Sequence, residues 1–107
     1  MLLSFLVATY VALAPANSTY PQVLSCIATY ESGVNQFTPS GAPLWSPTKD
    51  VGIMQIHYTW LPTAENMGLD IVNNPKDNVE FGIWLYNKYG PSPWTTYKRY
   101  CSGNLDG

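Results

Sequence analysis

Charge is what this sequence has least of. Only 11% of its 107 residues are Asp, Glu, Lys or Arg, against about a quarter in an average soluble domain. The five basic residues are scattered and the net charge is −2. That excludes the dense basic surface a nucleic-acid binder needs. His57 is the only histidine and the two cysteines form no CxxC motif, so a metal site is not expected; no organic cofactor is expected either. The apolar run over residues 2–14, LLSFLVATYVALA, is too short for an ordinary transmembrane span. It has the length of a signal-peptide h-region, although no Lys or Arg follows Met1, and Ala14-Pro15-Ala16 supplies a small-x-small cleavage pattern. The expectation is a signal peptide or short membrane anchor over 1–16, with a truncated upstream region as a further alternative, and one domain over 17–107.

What the chain does have is apolar bulk and aromatic rings. Hydrophobic residues make up 46%, with eight Tyr and four Trp, enough for a modest core in one domain. Surface polarity must come from Ser, Thr, Asn, Gln and Tyr. Such a surface suits neutral, hydrogen-bonding ligands such as sugars, whose rings stack on aromatic faces. In an exported chain Cys26 and Cys101 can form one disulfide. The chain-entropy treatment gives such a long loop on the order of 4 kcal/mol. Two separate buried thiols are the alternative.

Helical spacing predicts a first helix in NSTYPQVLSCIATYES. Ser18 or Thr19 caps it, Pro21 sits in its first turn, and Val23, Leu24, Ile27 and Tyr30 mark its apolar face. Gly33 ends it. Residues 34–52 are rich in Pro, Ser, Thr and Gly and read as a long loop or a short β-hairpin. A short helix follows over 58–68, with Thr59 as cap and Gly68 as stop. The clearest helix spans 73–90: Asn74 caps, Pro75 opens, Lys88 suits the last turn and Gly90 terminates. Its packed stripe is Val79, Gly82, Ile83 and Tyr86. PSPWTTYKRYC then reads as a turn and one last helical turn.

Glu31 is the conspicuous residue. It falls in the last turn of the first helix, where the helix dipole disfavours negative charge, among apolar neighbours. Its pKa should be raised. A carboxyl that keeps its proton near neutral pH can act as a general acid, and protonating a glycosidic oxygen is a reaction that needs one. The plainer alternative is a helix-end Glu bonded to nearby groups.

Three stretches, in order and suitably spaced, decide between these. Glu31-Ser32-Gly33, then Gly52-Ile53-Met54-Gln55-Ile56, then NPKDNVEFGIWLY with Asn78, Val79 and Gly82 in register resemble the goose-type lysozyme and lytic transglycosylase family, the SLT-like branch of the lysozyme-like superfamily. The likeness runs from Val23 to Trp94. It departs where the family has Tyr-Leu and this chain has Leu85-Tyr86, after Trp84. The resemblance implies a mainly α, small lysozyme-like helical domain, with an irregular loop or short β-hairpin between the first and second helices. It implies cleavage of the MurNAc–GlcNAc β-1,4 bond of peptidoglycan, with Glu31 as acid and then base and a 1,6-anhydro product.

By the same resemblance Ser32, Gly52, Met54, Gln55 and Ile56 would bind substrate, with Trp84, Tyr86 and Trp94 as the candidate aromatic wall. Ser32 would position Glu31 or a sugar substituent, Gly52 would keep the backbone close to the sugar, and Asn78 and Gly82 would support their helix against the catalytic one. Asp50 is the candidate second carboxylate. With it the enzyme would be a hydrolytic muramidase, and a silent glycan-binding module of the same fold is the third alternative. His57 is expected on the cleft rim. The expected partner is the glycan strand. No nucleic acid is expected, and a membrane only if the N-terminal segment is retained. A monomer is expected, exported to the periplasm, the cell wall or the medium of a bacterium or phage-infected cell.

Overall fold

The computed structural model describes residues 20–102. The segment 1–16, the Asn17-Ser18-Thr19 stretch and the caps expected at Ser18 or Thr19 lie outside the described residues. The fold is mainly helical, with a short antiparallel hairpin between the first and later helices. Among the described residues no helix is long and apolar enough to cross a membrane.

Helix α1 spans Tyr20–Ser32 and buries Val23, Leu24, Ile27 and Ala28. Positions 24, 27 and 28 share one face of a 3.6-residue helix, so Ala28 continues the stripe. Tyr30, expected on that face, is 52% exposed and instead stacks on Tyr100, ring centroids 4.4 Å apart. The helix ends where Gly33 turns into the left-handed region and returns its N–H to the Thr29 carbonyl at 2.9 Å.

After the loop come β1 (Asp50–Val51) and β2 (Ile56–His57), paired Asp50 with His57 and Val51 with Ile56. The turn between them has positive φ at Gly52 and Gln55. The helix expected over 58–68 is split: a tight 3-10 turn over Tyr58–Trp60 precedes α2, Leu61–Asn66. Pro62 has no N–H to give and fits only a first helical turn, so the α-helix restarts beside it. The cap is His57, whose ring accepts from the Thr59 N–H, not Thr59. Helix α3, Pro75–Tyr89, begins as expected, with Asn74 Oδ1 accepting from the Lys76 and Asp77 N–H groups. Its buried face is Asn78, Val79, Phe81, Gly82 and Leu85. Ile83 and Tyr86, expected in that stripe, are only half-buried, because Phe81 and Leu85 fill the interior below. Near the end of the described residues comes a π-helical turn, Tyr97–Cys101, linked to α1 by the Cys26–Cys101 disulfide.

Two amides lock the interior. Gln36 Nε2 donates to the Ile71 and Val72 carbonyls, and its Oε1 accepts from the Ile53 N–H. Asn78 Nδ2 donates to the Val51 and Ile71 carbonyls, and its Oδ1 accepts from the Met54 N–H. Both side chains are fully buried. Their six bonds fix the hairpin turn against the 71–72 loop and α3, and among the described residues no buried side-chain polar atom lacks a partner.

Candidate active site

Glu31 is carried to the surface by the last turn of α1 and remains half-buried. It opens onto a cavity of about 290 Å³ whose walls are Thr48, Asp50, Gln55 and His57 on the hairpin side and Pro93, Trp94 and Thr95 on the C-terminal side. A second cavity, about 200 Å³, shares Asp50, Gln55, His57, Pro93 and Trp94 and continues toward Ile56, Trp60 and Leu85. The two form one groove with Glu31 at one end. A larger hollow of about 500 Å³, bordered by Ser32, Phe37 and Leu44, does not include Glu31.

The Thr96 hydroxyl donates to Glu31 Oε2 at 2.5 Å. Burial pushes the Glu31 carboxyl above its ordinary pKa. The Thr96 hydroxyl and backbone N–H pull it back, and the negative charge of Asp50 pushes it up again. Burial is the larger cause, because a half-buried carboxylate loses water that one or two hydrogen bonds replace only in part. Across the cavity Asp50 Oδ2 accepts from the Ser46 and Thr48 hydroxyls, at 2.9 and 2.5 Å.

Several expected site residues are placed differently by the structure. Met54 is fully buried and its side chain lines neither cavity of the groove. It fills the slot left by Gly82, where a Cβ would lie 2.7 Å from Met54 Cγ. What Met54 presents is backbone: its carbonyl accepts from Trp94 Nε1 at 2.7 Å. Gly52 faces a tight spot, where a Cβ would collide with the Gln36 and Asn78 amides. Asn78 and Gly82 hold α3 against the hairpin turn. Ser32 Oγ is occupied as a brace, donating to the Ile53 carbonyl at 2.7 Å and accepting from the Asn35 N–H. It ties the end of α1 to the hairpin turn.

Gln55 does line the groove. Its Nε2 donates to the Gly52 and Leu44 carbonyls, which orients the amide and turns Oε1 into the acceptor free for other use. Ile56 borders the second cavity. Of the three aromatic candidates, Trp94 lines both cavities. Trp84 packs with Trp60 and Phe81 under Lys88, and Tyr86 sits behind Trp94, with ring centroids 6.4 Å apart. Neither borders the groove.

Thr96 was not visible as a site residue in the sequence, though one signal bears on it. Glu31 lies five residues after Cys26 and Thr96 five residues before Cys101. The disulfide brings the two segments together without a rule of equal offsets, since Tyr30, four residues after Cys26, stacks on Tyr100, one before Cys101. Among the described residues no group of three or more His, Cys, Asp or Glu is placed to hold a metal ion.

The family model described as the transglycosylase SLT domain matches residues 11–106, and the chain belongs to that family. No curated protein and no solved structure matches it. At the level of the family, the function is lytic-transglycosylase-like cleavage of peptidoglycan, a polymer outside the cytoplasmic membrane, and this implies an extracytoplasmic place of action.

Proposed function

We propose that this protein is a lytic transglycosylase that cuts the β-1,4 bond from MurNAc to GlcNAc, with Glu31 as its single acid and base. The observation that carries the reading is a half-buried carboxyl with a raised pKa at the end of a groove walled by Gln55, Asp50 and Trp94. In the first step the Glu31 proton passes to the glycosidic oxygen. The bond from MurNAc C1 to that oxygen breaks, and GlcNAc leaves with a free 4-hydroxyl. Glu31, now ionised, takes the proton of the MurNAc C6 hydroxyl as that oxygen bonds to C1. No water is consumed and no cofactor enters the chemistry. The groove's neutral polar side chains, Thr48, Gln55 and Thr95, suit hydrogen bonding to sugar hydroxyls. Export to the periplasm, the wall or the medium follows from where that substrate lies.

A second reading, the hydrolytic muramidase, is favoured by one observation: Asp50 lines the same cavity and its charge acts on Glu31. A second carboxylate could take water or C1 as its partner. Purified peptidoglycan digested by wild type and by Glu31→Gln separates the readings by mass spectrometry of the released muropeptides. Products lacking one water relative to hydrolysed ones, and absent with Glu31→Gln, are expected. Hydrated reducing ends that depend on Glu31 would instead make the protein a muramidase. Undiminished binding of glycan with no products from wild type would leave a glycan-binding module.

A further inference from the structure

The contact between Glu31 and Thr96 joins residues 65 positions apart, and the segment bearing Thr96 is pinned on both sides. Two residues before it, the buried Trp94 donates its indole N–H to the Met54 carbonyl at 2.7 Å. Five residues after it, Cys101 is bonded to Cys26 of α1. Tyr100 adds a ring stack on Tyr30, the residue next to Glu31. A β-branched side chain has few χ1 choices once its backbone is fixed. The hydroxyl is therefore held in place before any substrate arrives. Its donated bond occupies Oε2 of Glu31.

We infer that Thr96 is a positioning residue for the acid: its hydroxyl fixes Oε2 and so aims the carboxyl proton into the groove. This rests on reading Glu31 as the acid. Thr96 itself touches no reacting atom. The titratable groups around Glu31 are Asp50 and His57 of the hairpin, which line the same cavity, Tyr30 beside it on α1, and Arg99 and Tyr100, which border a small hollow with Thr96; the charge that acts on Glu31 is that of Asp50. The hydroxyl has two consequences that can be told apart. It orients the carboxyl, which bears on the rate of the chemical step. It also favours the ionised carboxylate, which sets the pH at which the acid form is lost. Removing it slows turnover while extending the acid form to higher pH, a pairing that a merely structural residue does not give.

The test compares wild type, Thr96→Val, Thr96→Ser and Glu31→Gln on purified peptidoglycan, with release of soluble products followed across pH and folding checked by circular dichroism. Thr96→Val is expected to retain its fold and lose about ten-fold or more in kcat at unchanged KM. Its basic limb should move to higher pH, and Thr96→Ser should restore both rate and limb. Wild-type rate and limb in Thr96→Val would overturn the inference. So would equal slowing of the Ser and Val variants with the limb unmoved, which marks a structural segment only. An active Glu31→Gln would sink the acid assignment itself, whereas an inactive Glu31→Gln beside a normal Thr96→Val sinks only the role of Thr96.

Discussion

Two polar clusters lie a few residues apart in this molecule and are built in opposite ways. Gln36 and Asn78 sit in the interior, and each makes three hydrogen bonds to backbone groups. Both are neutral, and every polar side-chain atom of each is engaged. Glu31 is half-exposed, ionisable and held through Thr96, by its hydroxyl and its backbone N–H. The first arrangement gives rigidity, because a buried amide with every atom paired permits one geometry. The second keeps a proton in play. Reactivity here depends on incomplete satisfaction, and it is tolerable because the complete cluster beside it holds the hairpin still.

The comparison can be broken at each side. Reducing Cys26–Cys101 should have the largest effect on stability. The loop it closes spans 75 positions, so chain entropy puts the loss at roughly 4 kcal/mol, readable as a lower urea midpoint in dithiothreitol. Asn78→Ala comes next, with about 3 kcal/mol expected from stranding buried partners such as the Met54 N–H. If urea unfolding shows less than half that, the interior lock is weaker than its geometry. Gly82→Ala drives a methyl against Met54. Overpacking of about 2 kcal/mol, partly offset by roughly 1 kcal/mol of helix propensity, leaves a net loss near 1 kcal/mol. Glu31→Gln should be the smallest in stability and opposite in sign. A neutral amide relieves the cost of burying charge, so its melting point at neutral pH is expected to equal or slightly exceed that of wild type while activity vanishes.

The pH dependence has its sign fixed by the same burial. Glu31 must be protonated for the first step, and its pKa lies above the ordinary value. Activity is therefore retained into a range where an exposed Glu would be ionised, and it falls as pH rises through the folded pKa.

How much of this was legible in the sequence depends on the range of the interaction involved. Helix α3 was readable because Asn74, Pro75 and Gly90 punctuate it locally. The core face of α1 was readable up to Tyr30, whose partner Tyr100 is remote in sequence. The hairpin was legible only as an alternative to an irregular loop, since strands of two residues carry no alternation to detect. In GIMQI, spacing marked a motif but not which way each side chain points. Met54 turned inward because Gly82 leaves a slot on another helix, and Gln55 turned to the groove because its backbone lies in the left-handed region. Thr96 was hidden for the same reason as Tyr100: it matters only through a contact across the disulfide.

That disulfide has a consequence beyond stability. Between residues 26 and 101 the molecule is a ring, not a line. Residues 39–41 form an exposed tip of the kind proteases nick. A cut there would put Glu31 on one fragment and Thr96 on the other, yet leave them in one covalent molecule. The nicked protein would run as a single species on a gel without reductant and as two with it. Continuity of the reactive pair is thus secured by sulfur and not by the peptide chain that runs between them.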